Sequence, residues 1–131
     1  MNSHTNEFAV VTGASSGIGR ELARCCAEEG YDLLIAADEP EIHETARELQ
    51  LRGIECAALQ ADLATRTGVQ ALYEATGGRP VDALLANAGR GLGHGFLDQD
   101  FEKVEAVIGT NITGTIDLIQ RIGRDLSLIH I

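Results

Sequence analysis

The sequence predicts an α/β fold, a doubly wound parallel sheet with strand order 3-2-1-4, on three observations. Short apolar runs alternate with stretches of helical periodicity along nearly all of the 131 residues, the pattern of strand-helix-strand units around a parallel sheet. A glycine-rich turn, Thr12 to Gly19, joins the first run to the first helical stretch. The later runs each end in a polar residue: Asp38, Asp62 and Asn87.

Taken in order, Phe8 to Thr12 reads as a short buried strand bounded by glycine. Ile18, Leu22, Cys25, Cys26 and Ala27 fall at helical spacing, and Gly30 stops that helix. Tyr31 to Ala37 is a near-continuous apolar run, which suits a parallel strand covered on both faces. Crossovers of this kind are right-handed, so the second strand lies beside the first. Pro40 stands in the opening residues of a second helix, continued by Ile42, Ala46, Leu49 and Gln50 and ended by Gly53. Ile54 to Ala61 forms a third strand. Val69, Leu72, Tyr73 and Thr76 mark a third helix that Gly77, Gly78 and Pro80 terminate. Val81 to Ala86 is a fourth strand, closing in Asn87-Ala88-Gly89. Arg90 to Gly95 reads as a mobile glycine loop, and Leu97, Phe101, Val104 and Ile108 as a helical stripe. Asn111 then begins a further helix through Ile112, Ile116, Ile119 and Ile122, apolar on more than one face and so suited to bury against a partner helix.

Composition narrows the function. The net charge is −10 and no basic cluster interrupts it, so nucleic acid is not the expected partner. Aromatic residues make up 4% with no Trp, too few for a base-stacking platform. No apolar run reaches the roughly 18 residues of a membrane span, and Met1 to Glu7 is not a signal peptide, so the expected address is the cytoplasm. Cys25, Cys26 and Cys56 lack C-x-x-C spacing and read as buried thiols of a reducing compartment. His4, His43 and His130 have no partners at metal-ligand spacing, and no metal is expected.

The glycine turn carries the chemistry. A strand ending in a tight turn aims the first N–H groups of the next helix at one point, where the helix dipole also favours negative charge. Gly13 allows the turn, Gly17 lets a pyrophosphate approach the backbone, and Gly19 lets the helix pack closely on the strand. In open parallel sheets ligands bind at the carboxyl ends of the strands where strand order reverses, and Gly13 to Gly19, Asp38, Asp62 and Asn87-Ala88-Gly89 all fall on that edge. An acidic Asp38 with Glu39 after the second strand accepts a ribose 2′-OH and repels a 2′-phosphate, which favours NAD over NADP.

Thr12-Gly-Ala-Ser-Ser-Gly-Ile-Gly19, Asp62-Leu63, Asn87-Ala88-Gly89 and Asn111 together resemble the short-chain dehydrogenase/reductase family, from Phe8 to about Asp125. The resemblance implies a Rossmann-type dinucleotide-binding domain over 1–125. It implies an NAD(P)-dependent oxidoreductase acting on a small alcohol or carbonyl substrate, in a parent that is a homodimer or homotetramer. Gly13, Ser15, Ser16, Gly17, Ile18 and Gly19 would hold the cofactor, with Asp62 on the adenine amino group, Leu63 beside it and Asn87, Ala88 and Gly89 along the ribose. By the resemblance Asn111 would hold a catalytic water; taken alone it reads first as a helix N-cap, and the two roles are compatible. By the same resemblance the discriminating acidic position falls on Ala37, one residue before Asp38. His94, in the glycine loop, is either a general base or an idle exposed side chain.

The family's Ser and Tyr-x-x-x-Lys are not in this sequence: neither Tyr31 nor Tyr73 has a Lys four residues on, and Lys103 is the only lysine. The expectation is a chain that binds cofactor without turnover; the alternatives are a regulatory dinucleotide-binding module, or another doubly wound nucleotide binder, which Asn87-Ala88-Gly89 followed by Asn111 disfavours. Residues 126–131, Leu-Ser-Leu-Ile-His-Ile, match the translation of a transposon-end adapter, CTG TCT CTT ATA CAC ATC, and read as a non-native tail on a truncated gene.

Overall fold

A computed structural model describes residues 6–126. Four parallel strands, β1 (Phe8–Thr12), β2 (Asp32–Ala37), β3 (Cys56–Gln60) and β4 (Ala83–Leu85), lie in the order β3-β2-β1-β4. Between them run α1 (Gly17–Glu28), α2 (Ile42–Gln50) and α3 (Arg66–Ala75). After β4 come a short 3₁₀ turn, Phe96–Asp98, then α4 (Phe101–Ile108), a π-helical turn, Gly109–Thr113, and α5 (Gly114–Asp125).

Every residue of β1 and β2 is buried, because alternate side chains point to opposite, covered faces. Ala9, Val11, Leu33 and Ile35 pack with Ala23 and Ala27 of α1 and Ile42, Ala46 and Leu49 of α2. Phe8, Val10, Leu34 and Ala36 pack on the other face with Val69 and Leu72 of α3 and Leu118 and Ile122 of α5. Two cores around one sheet are the doubly wound arrangement. At the amino ends of the strands the buried Asp32 accepts from Asn6 (3.1 Å), the Glu55 N–H (2.9 Å) and Arg79 (2.9 Å). Burial pushes the Asp32 carboxyl pKa up, but those donors outweigh it and hold it below the usual carboxylate range.

Several elements differ from the sequence reading. The second, third and fourth strands are shorter than their apolar runs; β3 and β4 are edge strands, β4 half-buried and β3 running from the buried Cys56 to the exposed Gln60. The sheet-facing stripe of α1 is Gly19, Ala23 and Ala27, while Ile18 is 74% exposed and Cys25 is exposed. Small residues face the sheet because α1 sits too close to it for larger ones. Of the three thiols only Cys56 is fully buried, its pKa pushed up to about 12 by burial. The stripe of Leu97, Phe101 and Ile108 faces solvent, and α4 has no buried residue. Asn111 does not open a helix: it lies inside the π turn of a helical rod that runs from α4 into α5, so the N-cap role does not hold. Residues 127–131 of the proposed tail, with His4 and His130, lie outside the described residues.

Candidate functional site

The turn from β1 to α1 is shaped by close backbone contacts. Gly13 has φ +68°, and its N–H donates to the Ala36 carbonyl at 2.8 Å, tying the turn to β2. A Cβ on Gly13 would meet Asn87 Nδ2 at 2.9 Å, and one on Gly19 would meet the Gly13 carbonyl oxygen at 2.1 Å. Neither position has room for a side chain. Gly17 is different: φ is +56° and a Cβ there would meet nothing within 4 Å, so this part of the turn faces open space. Ser16 precedes α1 without a side-chain capping bond, and the first N–H groups of a helix have no partner within it. The result is an uncapped positive helix end beside a bare glycine backbone, which suits an anionic group.

β4 is locked to this turn through Thr12. Its Oγ1 accepts from the Asn87 and Ala88 N–H groups, both at 3.0 Å, while Asn87 Nδ2 donates to the Thr12 and Gly13 carbonyls at 3.3 and 3.5 Å. Asn87-Ala88-Gly89 is thereby held over the glycine turn.

One cleft collects these strand ends. It is lined by Gly13, Ser15, Ser16 and Ile18 from the turn, Ala37, Asp38 and Glu39 after β2, and Ala61 and Leu63 after β3. Asn87, Ala88, Gly89 and Arg90 after β4, with Thr110 of the π turn, complete it. Ser15 is buried, its Oγ 3.5 Å from Glu39 Oε1, and Leu63 is buried too, whereas Asp38 and Asp62 are exposed. Asp62 borders the cleft: its Oδ1 accepts from the Ala64 N–H (2.9 Å) in an Asx turn and from Arg90 Nη2 (3.0 Å). Behind it Thr65 caps α3 by accepting from the Gly68 N–H at 3.0 Å, and a Cβ on Gly68 would fall 2.0 Å from the Asp62 carbonyl oxygen. Thr110 is 5% exposed, and its Oγ1 has no partner among the described residues. An unsatisfied buried hydroxyl in a polar cleft fits a site that receives a ligand.

Asn111 stands behind the cleft wall, exposed, with its amide on the Arg90 backbone: Oδ1 accepts from the Arg90 N–H (2.7 Å) and Nδ2 donates to the Arg90 carbonyl (2.8 Å). The π turn has a structural cause as well. A Cβ on Gly109 would sit 2.9 Å from the Ala64 carbonyl oxygen, and one on Gly114 1.9 Å from that of Leu63. Residues five apart on an α-helix are about 140° apart round the axis; the wider turn brings both glycines onto the segment after β3. That glycine pair, readable as Gly-x-x-x-x-Gly around Asn111, is the signal the sequence analysis passed over. Arg90, Thr110 and the Gly68 contact were also missed there. His94 is exposed and lies outside the cleft, leaving the idle reading.

The family model described as short chain dehydrogenase matches residues 7–127. The chain belongs to the short-chain dehydrogenase family. It is 38% identical over 117 residues to the oxidoreductase UcpA of Salmonella typhimurium, covering 87% of this chain and 44% of that protein. It is 32% identical over 121 residues to the 3-oxoacyl-(acyl-carrier-protein) reductase FabG of Staphylococcus epidermidis, covering 89% and 50%. The L-sorbose reductase of Gluconobacter frateurii, solved with NADPH and L-sorbose, superposes with a TM-score of 0.84 at 29% identity, over 92% of this chain and 48% of that one. The chain thus spans about half the length of the relatives it matches. Among the described residues no helix is long and apolar enough to cross a membrane, and no group of three or more acidic, His or Cys side chains could hold a metal.

Proposed function

We propose that this chain is the dinucleotide-binding half of an NAD(P)-dependent oxidoreductase that interconverts a small alcohol and its carbonyl compound. The observation that carries the reading is the cleft itself, which Gly13, Ser15, Ser16 and Ile18 at the uncapped start of α1 line together with Thr110, whose hydroxyl has no partner among the described residues. The N–H groups of Gly17, Ile18 and Gly19 would take the pyrophosphate, with the Ser15 and Ser16 backbone beside it. Asp38 would accept a ribose hydroxyl, Asp62 with Leu63 would meet the adenine, and Asn87, Ala88 and Gly89 would flank the adenosine ribose. A bound nicotinamide supplies the hydride chemistry. Asn111 would hold a water through the backbone of the π turn, its side chain being occupied by Arg90. The described lining holds no Tyr or Lys, so these residues bind and orient a cofactor without serving as its proton donor. The L-sorbose reductase, solved with NADPH, supports a nicotinamide cofactor.

The unpaired cysteines fit a cytoplasmic parent. The exposed Ile112, Ile116 and Ile119, at 54%, 61% and 48%, fit a homodimer or homotetramer that covers this helix.

Thermal melting of the chain against NAD, NADP and their reduced forms tests the reading, with Gly17→Asp as control. Saturable stabilisation, reaching about 2.7 kcal/mol at a hundred times Kd and lost in Gly17→Asp, is expected. A cooperatively melting chain that no dinucleotide stabilises would overturn it.

A further inference from the structure

Arg90 is the one cationic side chain among the described residues lining the cleft, against Asp38 and Glu39 in the lining and Asp62 at its border. Its Nη2 bridges two strand ends, 2.7 Å from Asp38 Oδ2 and 3.0 Å from Asp62 Oδ1. Its backbone is gripped on both sides by Asn111, so the head group is delivered to one place although the side chain is 34% exposed. That place lies between the groups that the reading above assigns to the ribose and to the adenine.

Resting on that reading, we propose that Arg90 determines coenzyme choice: its guanidinium lets the adenosine ribose carry a 2′-phosphate beside Asp38. A 2′-hydroxyl can donate to Asp38 Oδ1, which has no partner among the described residues, and leaves Arg90 in place. A 2′-phosphate brings about −1.5 to −2 charges toward carboxylates that repel it. The planar guanidinium has five N–H donors in a fork that suits phosphate oxygens. Both carboxylate contacts use Nη2, so the donors on Nε and Nη1 can turn to the phosphate while Nη2 stays on Asp62, and the added charge is met at the point where it arrives. Asp38 favours the unphosphorylated ribose and Arg90 opposes that preference; the chain therefore accepts both coenzymes.

Equilibrium titration of the chain with NAD and with NADP measures the ratio of the two Kd values for the unaltered protein, Arg90→Gln, Asp38→Asn and the double variant. Lys103→Gln, which removes one positive charge on α4 outside the cleft, controls for net charge. Arg90→Gln is expected to weaken NADP about tenfold or more, as befits a charge-assisted bond to phosphate, and to change NAD less than about threefold. Asp38→Asn is expected to strengthen NADP, and the gain to vanish in the double variant. Equal weakening of both coenzymes, or a ratio moved no further than by Lys103→Gln, would overturn the role of Arg90. Failure of the unaltered chain to bind either coenzyme would instead overturn the dinucleotide reading, and this role with it. Should Arg90→Gln not melt cooperatively, Arg90→Lys decides: keeping the charge without the fork, it supports the role if only NADP weakens and overturns it if neither changes.

Discussion

The two ends of the cleft are built from different materials. At the glycine turn the surface is defined by missing side chains, with backbone within 2.1 Å of where a Gly19 Cβ would stand. At the other end it is defined by three charged side chains, Asp38, Asp62 and Arg90, each at least a third exposed and held by ion pairs with one another instead of by packed backbone. A surface made of packed backbone has one shape, and substitution there breaks the fold. A surface made of exposed charges can be retuned one residue at a time, which is where differences in ligand preference can arise without loss of stability.

The sharpest way to break that contrast lies within the turn. Gly19→Ala is expected to destabilise by more than about 3 kcal/mol or to prevent folding, because both neighbours of the new methyl are main chain or tightly held. Gly17→Ala has open space and bears only the left-handed backbone cost of about 1–2 kcal/mol, yet its methyl occupies the face offered to a pyrophosphate. Urea unfolding beside nucleotide-dependent melting separates the two: equal destabilisation would undo the distinction between packed and open glycines. Next comes Thr12→Val, which leaves the Asn87 and Ala88 N–H groups without their shared acceptor and should cost about 1–3 kcal/mol. Thr12→Ser should recover most of it. Asn111→Ala is expected to cost about 1–2 kcal/mol by freeing the Arg90 backbone. Amide exchange at Arg90 should quicken in that variant while exchange in β1 stays slow.

The smallest effect belongs to surface charge. Hydrogen bonds from Arg24 and Arg20 hold the Glu48 carboxyl down to about 2 from an ordinary 4.5. Its folded pKa is lowered, so its contribution is complete above pH 4.5 and is lost as pH falls through about 2. Glu48 is solvated and the gain is modest. Melting temperatures of Glu48→Gln and the unaltered chain should therefore differ slightly at pH 6 and converge near pH 2; a gap that persists in acid would remove the ion pair as its cause.

The sheet was legible where burial is two-sided. β1 and β2 have apolar residues at nearly every position because both faces are covered, and runs this short, bounded by glycine or turn residues, are too brief for a buried helix. The glycine turn was legible because its spacing is local. Helix faces were harder: Ile18 and Cys25 looked like part of the buried stripe of α1 and face solvent, while Leu22 and Cys26 pack at the margin of the core and Gly19, Ala23 and Ala27, drawn close by the glycine contact, form its centre. Phe101 and Ile108 are apolar at helical spacing and still face solvent, since period alone says nothing about which stripe is covered. The clamp of Arg90 on Asp38 and Asp62 spans separations of 52 and 28 residues and leaves no periodic mark in the sequence.

The π turn acts as a register key for everything that follows it. Five residues occupy Gly109–Thr113 in one wide loop of the rod, one more than regular α-helical winding places there. Wound as ordinary α-helix with none of them removed, these residues would leave Gly114 about 140° round the axis from Gly109 instead of on the same face, and α5 would rotate by about 100°. Leu118 and Ile122, now sealed against the sheet at 2% and 0% exposure, would swing away, and the charged Asp117 and Arg121 would turn toward the sheet in their place. A gene copy shortened by a single codon at this point would wind as plain α-helix with its faces nearly kept, four residues turning about 400°, whereas a copy lengthened by one codon would have to widen the turn further or lose one of its two cores. In this rod length, more than composition, is the inherited quantity.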